Sequence, residues 1–205
     1  MWYDAFSLFY DRSLEKLYRA SRAQAVAALR APPGSLVLDV ACGTGQNFPP
    51  LKDHIGDGTI VGIDLSKGML RHARRRAEKA GWANVHLIHS DVHAFDAHRL
   101  EEQCGRTDAD AVLCALGLSV IPDWEAAFRH CFGLLRSGGR FAIFDVFAEK
   151  RTLQTWSVEL VSGGATSRQV WQPLEAMTPD FERTFLPGSP RIFGGRLYVA
   201  TGTKP

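Results

Sequence analysis

Residues 36–48 read Leu-Val-Leu-Asp-Val-Ala-Cys-Gly-Thr-Gly-Gln-Asn-Phe, an apolar run that passes directly into a glycine-rich turn. The apolar half is typical of a buried β-strand, and the composition after the turn predicts a helix. A glycine-rich turn between a first strand and the helix behind it is where doubly wound sheets bind nucleotides. Gly43 and Gly45 lack Cβ atoms, so a ligand can approach the backbone closely. Two glycines would also suit a purely structural tight turn, and only the surrounding residues can separate these interpretations.

Outward from the turn, short apolar runs alternate with stretches of helical composition. The predicted strands are Leu36–Val40, Thr59–Ile63, Val85–His89, Ala111–Ala115 and Arg140–Phe147. The predicted helices are Phe48–Ile55, Lys67–Ala80, Ala97–Cys104 and Trp124–Leu135. Ser66 is a predicted N-cap, Gly81 a predicted C-terminal cap, and Ser137-Gly138-Gly139 is predicted to stop the last helix. This alternation predicts a parallel sheet covered on both faces.

Both ends of the chain extend this core. Residues 2–30 carry aromatic and leucine side chains at helical spacing, which predicts a helix ended by Pro32-Pro33-Gly34. Thr152–Ser162 is a further predicted helix. Phe181–Leu186 and Arg196–Thr203 predict two strands that pair antiparallel. We therefore expect one α/β domain with a Rossmann-like doubly wound sheet, divided into an N-terminal helical cap (1–32), a core (33–147) and an insertion with the last two strands (148–205).

Composition excludes several classes of protein. The 205 residues are 45% hydrophobic and 22% charged, which is ordinary globular usage. A net charge of +2 is too small for a general nucleic-acid binder, so no nucleic-acid partner is expected. The longest uncharged apolar run, Ala111–Pro122, is far shorter than the about 20 residues that a membrane span needs. Four cysteines without Cys-x-x-Cys spacing, and a start unlike a signal peptide, predict a reduced, cytoplasmic protein without a metal site.

Three acidic residues follow predicted strands. Asp39 stands at the end of the first strand, Asp64 follows the second and Asp91 the third. A dinucleotide-binding turn would have a third glycine at position 48, which is phenylalanine here. A carboxylate at Asp39 suits an α-ammonium group better than a pyrophosphate, and one at Asp64 suits ribose hydroxyls. The acids and the turn together predict a site for a nucleoside with an amino-acid tail, although Asp64 would also serve as a helix-capping acid.

The chain resembles the class I S-adenosylmethionine-dependent methyltransferases, and within them the small UbiE-type family of quinone C-methyltransferases and bacterial phospholipid N-methyltransferases. The resemblance covers about residues 33–147. The matching segments are the turn itself, Gly62-Ile-Asp-Leu-Ser66, Met69-Leu70, Ser90-Asp-Val92 and Leu134-Leu-Arg-Ser-Gly-Gly-Arg140. The N-terminal helix with Tyr10-Asp11 is similar to the cap helix of that family. Ala41 departs from the pattern, because many members have glycine there.

The resemblance implies a seven-stranded sheet with an antiparallel last strand, and S-adenosylmethionine as the methyl donor, which leaves as S-adenosylhomocysteine. It implies that Asp39 and the Ala41–Gly45 backbone hold the methionine end. Asp64 would bind both ribose hydroxyls with Leu65 against the adenine, while Asp91 and the Val92 amide would bind the adenine edge. Met69 would pack against the adenine loop, or alternatively it is a residue of the hydrophobic core. The implied cofactor-binding set is Asp39, Ala41, Gly43, Thr44, Gly45, Asn47, Asp64, Leu65, Met69, Asp91, Val92, Cys114 and Ala115.

The acceptor side offers no histidine that is well placed as a base, and an amine acceptor needs none. Tyr3 and Tyr10 are the candidate acceptor-positioning residues on the cap helix. By the resemblance, the loop Ala115–Ser119 lines the acceptor pocket, and residues 149–179, with Trp156 and Trp171, lie over it. The loop is almost wholly apolar, which favours a lipophilic small-molecule acceptor such as a quinone or a phospholipid headgroup amine.

Aromatic residues of the cap helix, followed by Arg12, Lys16, Arg19 and Arg22, suggest peripheral membrane contact. A lid over the cofactor cleft is the alternative and is compatible with that role. A second basic cluster predicts a solvated helix face: His72, Arg74, Arg75, Arg76 and Lys79. A polar acceptor, a non-catalytic cofactor-binding relative and a nucleotide-dependent oxidoreductase, which Phe48 and Asp39 disfavour, remain alternatives. The sequence predicts no oligomeric state.

Overall fold

The computed structural model describes residues 18–150, 159, 164–187 and 195–205. Residues 18–28 are helical and form α1. The elements that follow are β1 (Leu36–Val40), α2 (Phe48–Ile55), β2 (Thr59–Asp64), α3 (Lys67–Ala80), β3 (Val85–His89), α4 (Ala97–Cys104), β4 (Ala109–Ala115), α5 (Trp124–Gly133), β5 (Leu135–Phe147), α6 (Gln172–Met177), β6 (Glu182–Phe185) and β7 (Arg196–Thr203). The predicted helix Thr152–Ser162 lies outside the described residues, apart from Glu159.

The seven strands form one sheet in the order β3-β2-β1-β4-β5-β7-β6. The strands β1 to β5 pair in parallel, and β7 runs antiparallel to both β5 and β6. The strand order reverses between β1 and β4, so the carboxyl ends of these two strands form the switch point at which doubly wound sheets bind ligands. The predicted seven-stranded α/β sheet with an antiparallel edge is confirmed.

Helices cover both faces of the sheet because alternate strand residues point to opposite sides. On one face, Val37 and Phe144 belong to a buried cluster with residues of α1, α2 and α3. On the other, Leu38 and Ile143 pack with residues of α4, α5 and α6. The interior of the sheet is therefore apolar on both sides, as the unbroken apolar runs of the parallel strands predict.

The predicted helix boundaries of α3 are confirmed in atomic detail. The Ser66 hydroxyl accepts a hydrogen bond from the Met69 N–H at 3.2 Å, and Gly81 ends the helix in the left-handed conformation with φ 70°.

The predicted end of α5 at Leu135 was wrong. Leu135 does not end α5 but pairs with Ala109 at the start of β5. Because the β4–β5 register shifts after this pair, residues 137–139 lie within the strand as an irregularity and do not stop the helix.

Candidate active site

The glycine-rich turn connects β1 to α2 at the switch point. Ala41, Gly43 and Gly45 all have left-handed backbone, with φ of 53°, 57° and 74°. A Cβ on Gly45 would lie 2.5 Å from the Phe48 ring, so both the backbone and the available space favour glycine there. Phe48 is fully buried beneath the turn. Its packing accounts for an aromatic residue at the position where dinucleotide-binding turns have their third glycine.

Asp39 lies on the buried side of this turn, within β1 and without solvent exposure. The Asn47 amide donates to both of its carboxylate oxygens, at 2.9 and 3.2 Å. The carbonyl oxygen of the same amide accepts a hydrogen bond from Arg22 Nη1 of α1 at 2.7 Å. Asn47 begins α2 without using its side chain as a cap, because the side chain bridges the aspartate and the arginine. Sequence analysis placed Arg22 in the basic run of the cap helix and did not foresee its hydrogen bond to Asn47.

Burial raises the pKa of Asp39 to about 7. The Asn47 hydrogen bonds and the positive charge of Arg22 act in the opposite direction and do not offset the loss of hydration. The carboxyl is therefore close to half ionised at neutral pH. A cationic ligand group placed beside it would stabilise the ionised form and lower this pKa.

Asp64 joins the turn to the end of β2. Its Oδ2 accepts a hydrogen bond from the Gly43 N–H at 2.8 Å, and its Oδ1 accepts one from the Ser66 N–H at 2.8 Å. Burial raises the pKa of this carboxyl, although the N–H groups of Ser66, Gly43 and Leu65 favour the ionised form. A carboxylate has about four lone-pair positions, so Asp64 can organise the turn and still accept a hydrogen bond from a ligand hydroxyl. Ribose binding and helix capping, the two roles that the sequence suggests for Asp64, are thus compatible.

An apolar shelf, formed by Leu65, lies next to these carboxylates. Leu65 is 68% exposed and is the one large hydrophobic residue that is exposed in the described part of the chain. His89, on the neighbouring strand end, hydrogen bonds to its backbone oxygen at 3.0 Å and so fixes its position. An isolated exposed leucine needs no special explanation. The family resemblance assigns this one to the adenine, and its exposure leaves it accessible to a ligand.

Asp91, Val92 and Met69 are the other residues that the resemblance assigns to the adenine end. Asp64 pairs with His89 across the β2–β3 ladder, which brings the ends of these strands together. Asp91 is exposed, and its Oδ1 accepts a hydrogen bond from the His93 N–H at 3.0 Å as it opens the short 3-10 turn Val92–Ala94. Met69 is half-buried in the first turn of α3.

Thr44, Cys114 and Ala115 are the remaining members of the expected cofactor set, and all three are buried. Thr44 is buried, and its carbonyl oxygen accepts a hydrogen bond from Arg76 Nε at 3.1 Å. Arg76 therefore faces the turn, whereas Arg74 and Arg75 have the solvent exposure predicted for that helix face. Cys114 and Ala115 end β4 and are buried, with Cys114 paired to Val40 in the sheet.

The loop after β4 adjoins the turn. A Cβ on Gly117 would lie 2.8 Å from the Cβ of Ala41, so the two loops pack against each other. Leu116 has left-handed backbone, with φ 59°, which is uncommon for leucine and typical of strained functional loops. Leu118 points into the core and is 1% exposed. Part of the loop that was predicted to line the acceptor pocket therefore belongs to the hydrophobic core. Leu116 is the apolar side chain of this loop that is only half-buried.

A buried polar network, which sequence reasoning missed, anchors this loop. The Asp145 carboxylate of β5 accepts hydrogen bonds from Ser119 Oγ at 2.8 Å and from the Ser119 N–H at 3.1 Å. Arg168 Nη1 donates to the carbonyl oxygens of Ser119 and Ile121, at 3.0 and 2.8 Å. Burial raises the pKa of Asp145 to about 6 despite these partners. Ser119 is thus held between a buried anion and a cation.

Part of the acceptor side lies outside the described residues, including Tyr3, Tyr10 and Trp156. Trp171, which was expected over the pocket, packs in the core with its ring centroid 5.0 Å from that of Tyr198. Within the described residues, no helix is long and apolar enough to cross a membrane. The same residues contain no group of three His, Cys, Asp or Glu side chains that could hold a metal ion.

A doubly wound sheet with carboxylates around a glycine-rich turn at its switch point defines a nucleoside-binding α/β protein, here with the strand order of a Rossmann-like methyltransferase. Residues 37–139, half of the chain, match the family described as methyltransferase domain. The chain therefore belongs to the methyltransferase-domain family, in agreement with its resemblance to the UbiE-type proteins.

Known relatives act on different acceptors. The chain is 30% identical over 148 residues to a demethylmenaquinone methyltransferase of Listeria welshimeri, covering 70% of this chain and 60% of that protein. It is 32% identical over 123 residues to an arsenite methyltransferase of Aquipseudomonas alcaligenes, covering 58% and 34%. The solved complex of DhpI with S-adenosylhomocysteine (SAH) superposes with a TM-score of 0.66 at 23% identity, covering 99% of this chain and 94% of that one. The chain thus spans about 60% of the length of the first of these relatives.

Proposed function

We propose that this protein transfers the methyl group of S-adenosylmethionine to a small lipophilic acceptor, a quinone-like molecule or a phospholipid headgroup amine. The observation that carries the proposal is the pair of carboxylates, Asp39 and Asp64, organised around one glycine-rich turn. When bound, the sulfonium compound supplies an electrophilic methyl group. The chain has to bind it, orient the acceptor in line and exclude water.

The chemistry of the turn fits the donor. A Cβ on Gly43 would meet no atom within 4 Å, so the space above the turn is open to a ligand. Asp39, below it, provides a negative charge for an ammonium group. Asp64 provides acceptors for two hydroxyls, and Leu65 an exposed apolar surface for a flat base. Asp91 and the Val92 N–H, at the neighbouring strand end, provide an acceptor and a donor for the base edge.

The remaining cofactor-binding assignments rest on backbone placement. Ala41, Thr44 and Gly45 would hold the methionine end, while Asn47 positions Asp39. Met69, Cys114 and Ala115 would close the sides of the site. Tyr3 and Tyr10, which lie outside the described residues, remain the proposed acceptor-positioning residues. We also propose the predicted N-terminal helix as the surface for peripheral membrane contact.

The lipophilic acceptor is supported by the half-buried Leu116 beside the turn and by the similarity to a demethylmenaquinone methyltransferase. A carbon acceptor must lose a proton, whereas an amine acceptor must only arrive neutral. No described histidine is hydrogen bonded to the turn or to the loop after β4. An acceptor that needs little proton transfer, or that arrives already ionised, therefore fits this side of the site best.

Methyl transfer tests the proposal directly. Purified protein is incubated with methyl-labelled S-adenosylmethionine and a total cell extract, and label is counted in the organic and aqueous phases. Label in the organic phase is expected and allows the product to be identified. Label only in the aqueous phase would overturn the lipophilic acceptor and leave the donor assignment standing.

The donor site has its own test. We expect Asp64→Ala to weaken binding of SAH by more than tenfold in isothermal titration calorimetry, because both ribose hydroxyls lose their acceptor. Asp53→Ala removes an exposed acid from α2 and is the matched control. Equal affinity of the two variants would contradict the ribose assignment.

A further inference from the structure

Tyr198 carries a hydroxyl group into the interior of the protein. The residue lies near the start of β7 and is 0% exposed, and its Oη has no hydrogen-bond partner among the described residues. A buried hydroxyl without a partner costs free energy, so native structures leave few such groups unsatisfied. Phenylalanine would fill nearly the same space without this cost, and the hydroxyl therefore calls for a partner from outside the described chain.

The hydroxyl lies beside the buried carboxyl of Asp145. The two residues are directly opposite each other in the antiparallel β5–β7 ladder, and the side chains of such a pair share one face of the sheet. Burial raises the pKa of Tyr198, and the negative charge of Asp145 raises it further, so the hydroxyl remains a donor. Among the described contacts, Asp145 Oδ2 accepts one hydrogen bond, from the Ser119 N–H at 3.1 Å, which leaves a lone pair for another donor.

Both groups lie at the end of the sheet where methyl transfer is proposed. Tyr198 is near the start of β7, which runs antiparallel to β5, so it lies with Asp145 at the carboxyl end of β5. Ser119, which is hydrogen bonded to Asp145, belongs to the loop after β4, and Gly117 of the same loop packs against the glycine-rich turn. This loop connects the pair to the donor site.

The surroundings of the pair are aromatic. Tyr198 packs edge to face on Trp171, with 5.0 Å between the ring centroids, and Trp171 packs in the same way on Phe147 at 4.8 Å. The ring of Phe185 lies 6.3 Å from that of Tyr198. These four residues form an aromatic corner, and because Phe147 and Phe185 are only half-buried, the corner extends to the surface. Its walls suit a flat ring.

Two arginines already cover faces of this aromatic corner. The guanidinium carbon of Arg183 lies 4.1 Å from the centroid of the Trp171 ring, and that of Arg196 lies 3.8 Å from the centroid of Phe185. Aromatic rings also attract ammonium groups, but an ammonium group here would meet two positive charges. The corner therefore favours an uncharged aromatic ligand over a cationic headgroup.

We propose that Tyr198 and Asp145 bind a hydroxyl group on an aromatic ring of the acceptor. The Tyr198 O–H donates to the oxygen of this group, and the group donates its own proton in a hydrogen bond to Asp145. The ring itself packs in the aromatic corner. The inference rests on the proposed function, and it selects a hydroxylated aromatic acceptor over a phospholipid headgroup amine.

The probes for the test are 1-naphthol and its methyl ether, because both have an oxygen on a flat ring but only the naphthol can donate a hydrogen bond. Their dissociation constants are measured by equilibrium dialysis with SAH-saturated protein, for the wild type, Tyr198→Phe and Asp145→Asn. Tyr18→Phe makes the same change on the opposite face of the sheet and is the control. The affinity for SAH and the melting temperature are measured for every variant.

We expect the wild type to bind naphthol more tightly than the ether. Tyr198→Phe should weaken both probes by about fivefold to tenfold, because both oxygens lose their donor. It should not lower the melting temperature, since the hydroxyl satisfies no described group. Asp145→Asn should remove the preference for naphthol, because its amide oxygen is used by Ser119 and its NH2 group cannot accept. Tyr18→Phe should bind both probes like the wild type.

Unchanged affinity of Tyr198→Phe for both probes would overturn the proposal, as would a wild type that binds SAH but no naphthol. A lower melting temperature of Tyr198→Phe with unchanged naphthol binding would also overturn it, because the hydroxyl would then have a purely structural role. Each of these results leaves the donor site intact, whereas a wild type that binds no SAH would overturn the proposed function itself. If Asp145→Asn does not fold, Tyr198→Phe decides alone.

Discussion

The raised pKa of Asp39 has a measurable consequence for stability. The group titrates at about 7 in the folded protein and near its ordinary value of 3.8 when unfolded. Between these values the folded state retains a proton that the unfolded state has released, so stability falls as the pH rises. Above about pH 7 both states are ionised, and the loss from this group levels off. The substitution Asp39→Asn removes the titration and keeps the shape of the side chain.

The size of the effect follows from linkage. Each unit of pKa difference corresponds to about 1.36 kcal/mol, so the two pH units between about 5 and 7 correspond to roughly 2–3 kcal/mol. Asp39 is fully buried, so solvent screening does not reduce this figure. Asp145 also has a raised pKa, but it titrates in both proteins and so cancels in the difference. The charge of Asp64 acts on Asp39 and raises its pKa further, which is already part of the value of about 7.

Chemical denaturation of both proteins at several pH values measures the effect. We expect the free energy of unfolding of the wild type to fall by roughly 2–3 kcal/mol more than that of Asp39→Asn from about pH 5 to about pH 7. The two curves should run parallel from about pH 8 upward. Curves that are parallel over the whole range would refute the reasoning, because Asp39 would then ionise in the folded state as easily as in the unfolded chain.

Two further predictions concern the turn and the apolar shelf. Ala41 has left-handed backbone, so Ala41→Gly should raise the free energy of unfolding by about 0.5–1 kcal/mol in urea titration, and a loss of stability would contradict the strain at this position. Leu65 is exposed, so Leu65→Ser should leave the melting temperature unchanged while it weakens SAH binding several-fold in calorimetry. Unchanged affinity would mean that no base packs on this shelf.

The features that the sequence predicted well are those with a local signal. The strand before the turn, the Ser66 cap and the Gly81 cap each depend on residues within a few positions, and the structure confirms them. The β4–β5 pairing has no such signal. Leu135 looks helical from its neighbours, and only the register with β4 makes it the first residue of a strand.

The polar networks of the site were missed because they join distant parts of the chain. Arg22 and Asn47 are 25 positions apart, and Arg168 and Ser119 are 49 apart. No spacing rule connects such pairs. The nearest available hint was the buried character of β5, in which Asp145 is the one acid and so needs partners from elsewhere.

The acidic residues at the two ends of the parallel strands differ in their electrostatics, and the difference indicates at which end the site lies. Toward the start of β4, burial alone would raise the pKa of Asp110, yet hydrogen bonds from Arg106, Arg136 and the Leu36 N–H lower it to about 2. At the opposite edge, Asp39 and Asp145 are buried with raised pKa values.

Where a carboxylate has a structural role, as at Asp110, arginines offset the cost of burying its charge. At the carboxyl ends of the strands, the hydrogen bonds and charges around Asp39 and Asp145 do not fully offset that cost. Ala41 and Leu116, which have left-handed backbone, lie in the loops at the same end. Unfavourable electrostatics and backbone strain gathered at a switch point are the expected signature of a site whose missing interactions come from a ligand. A cationic group beside Asp39 would supply one of them.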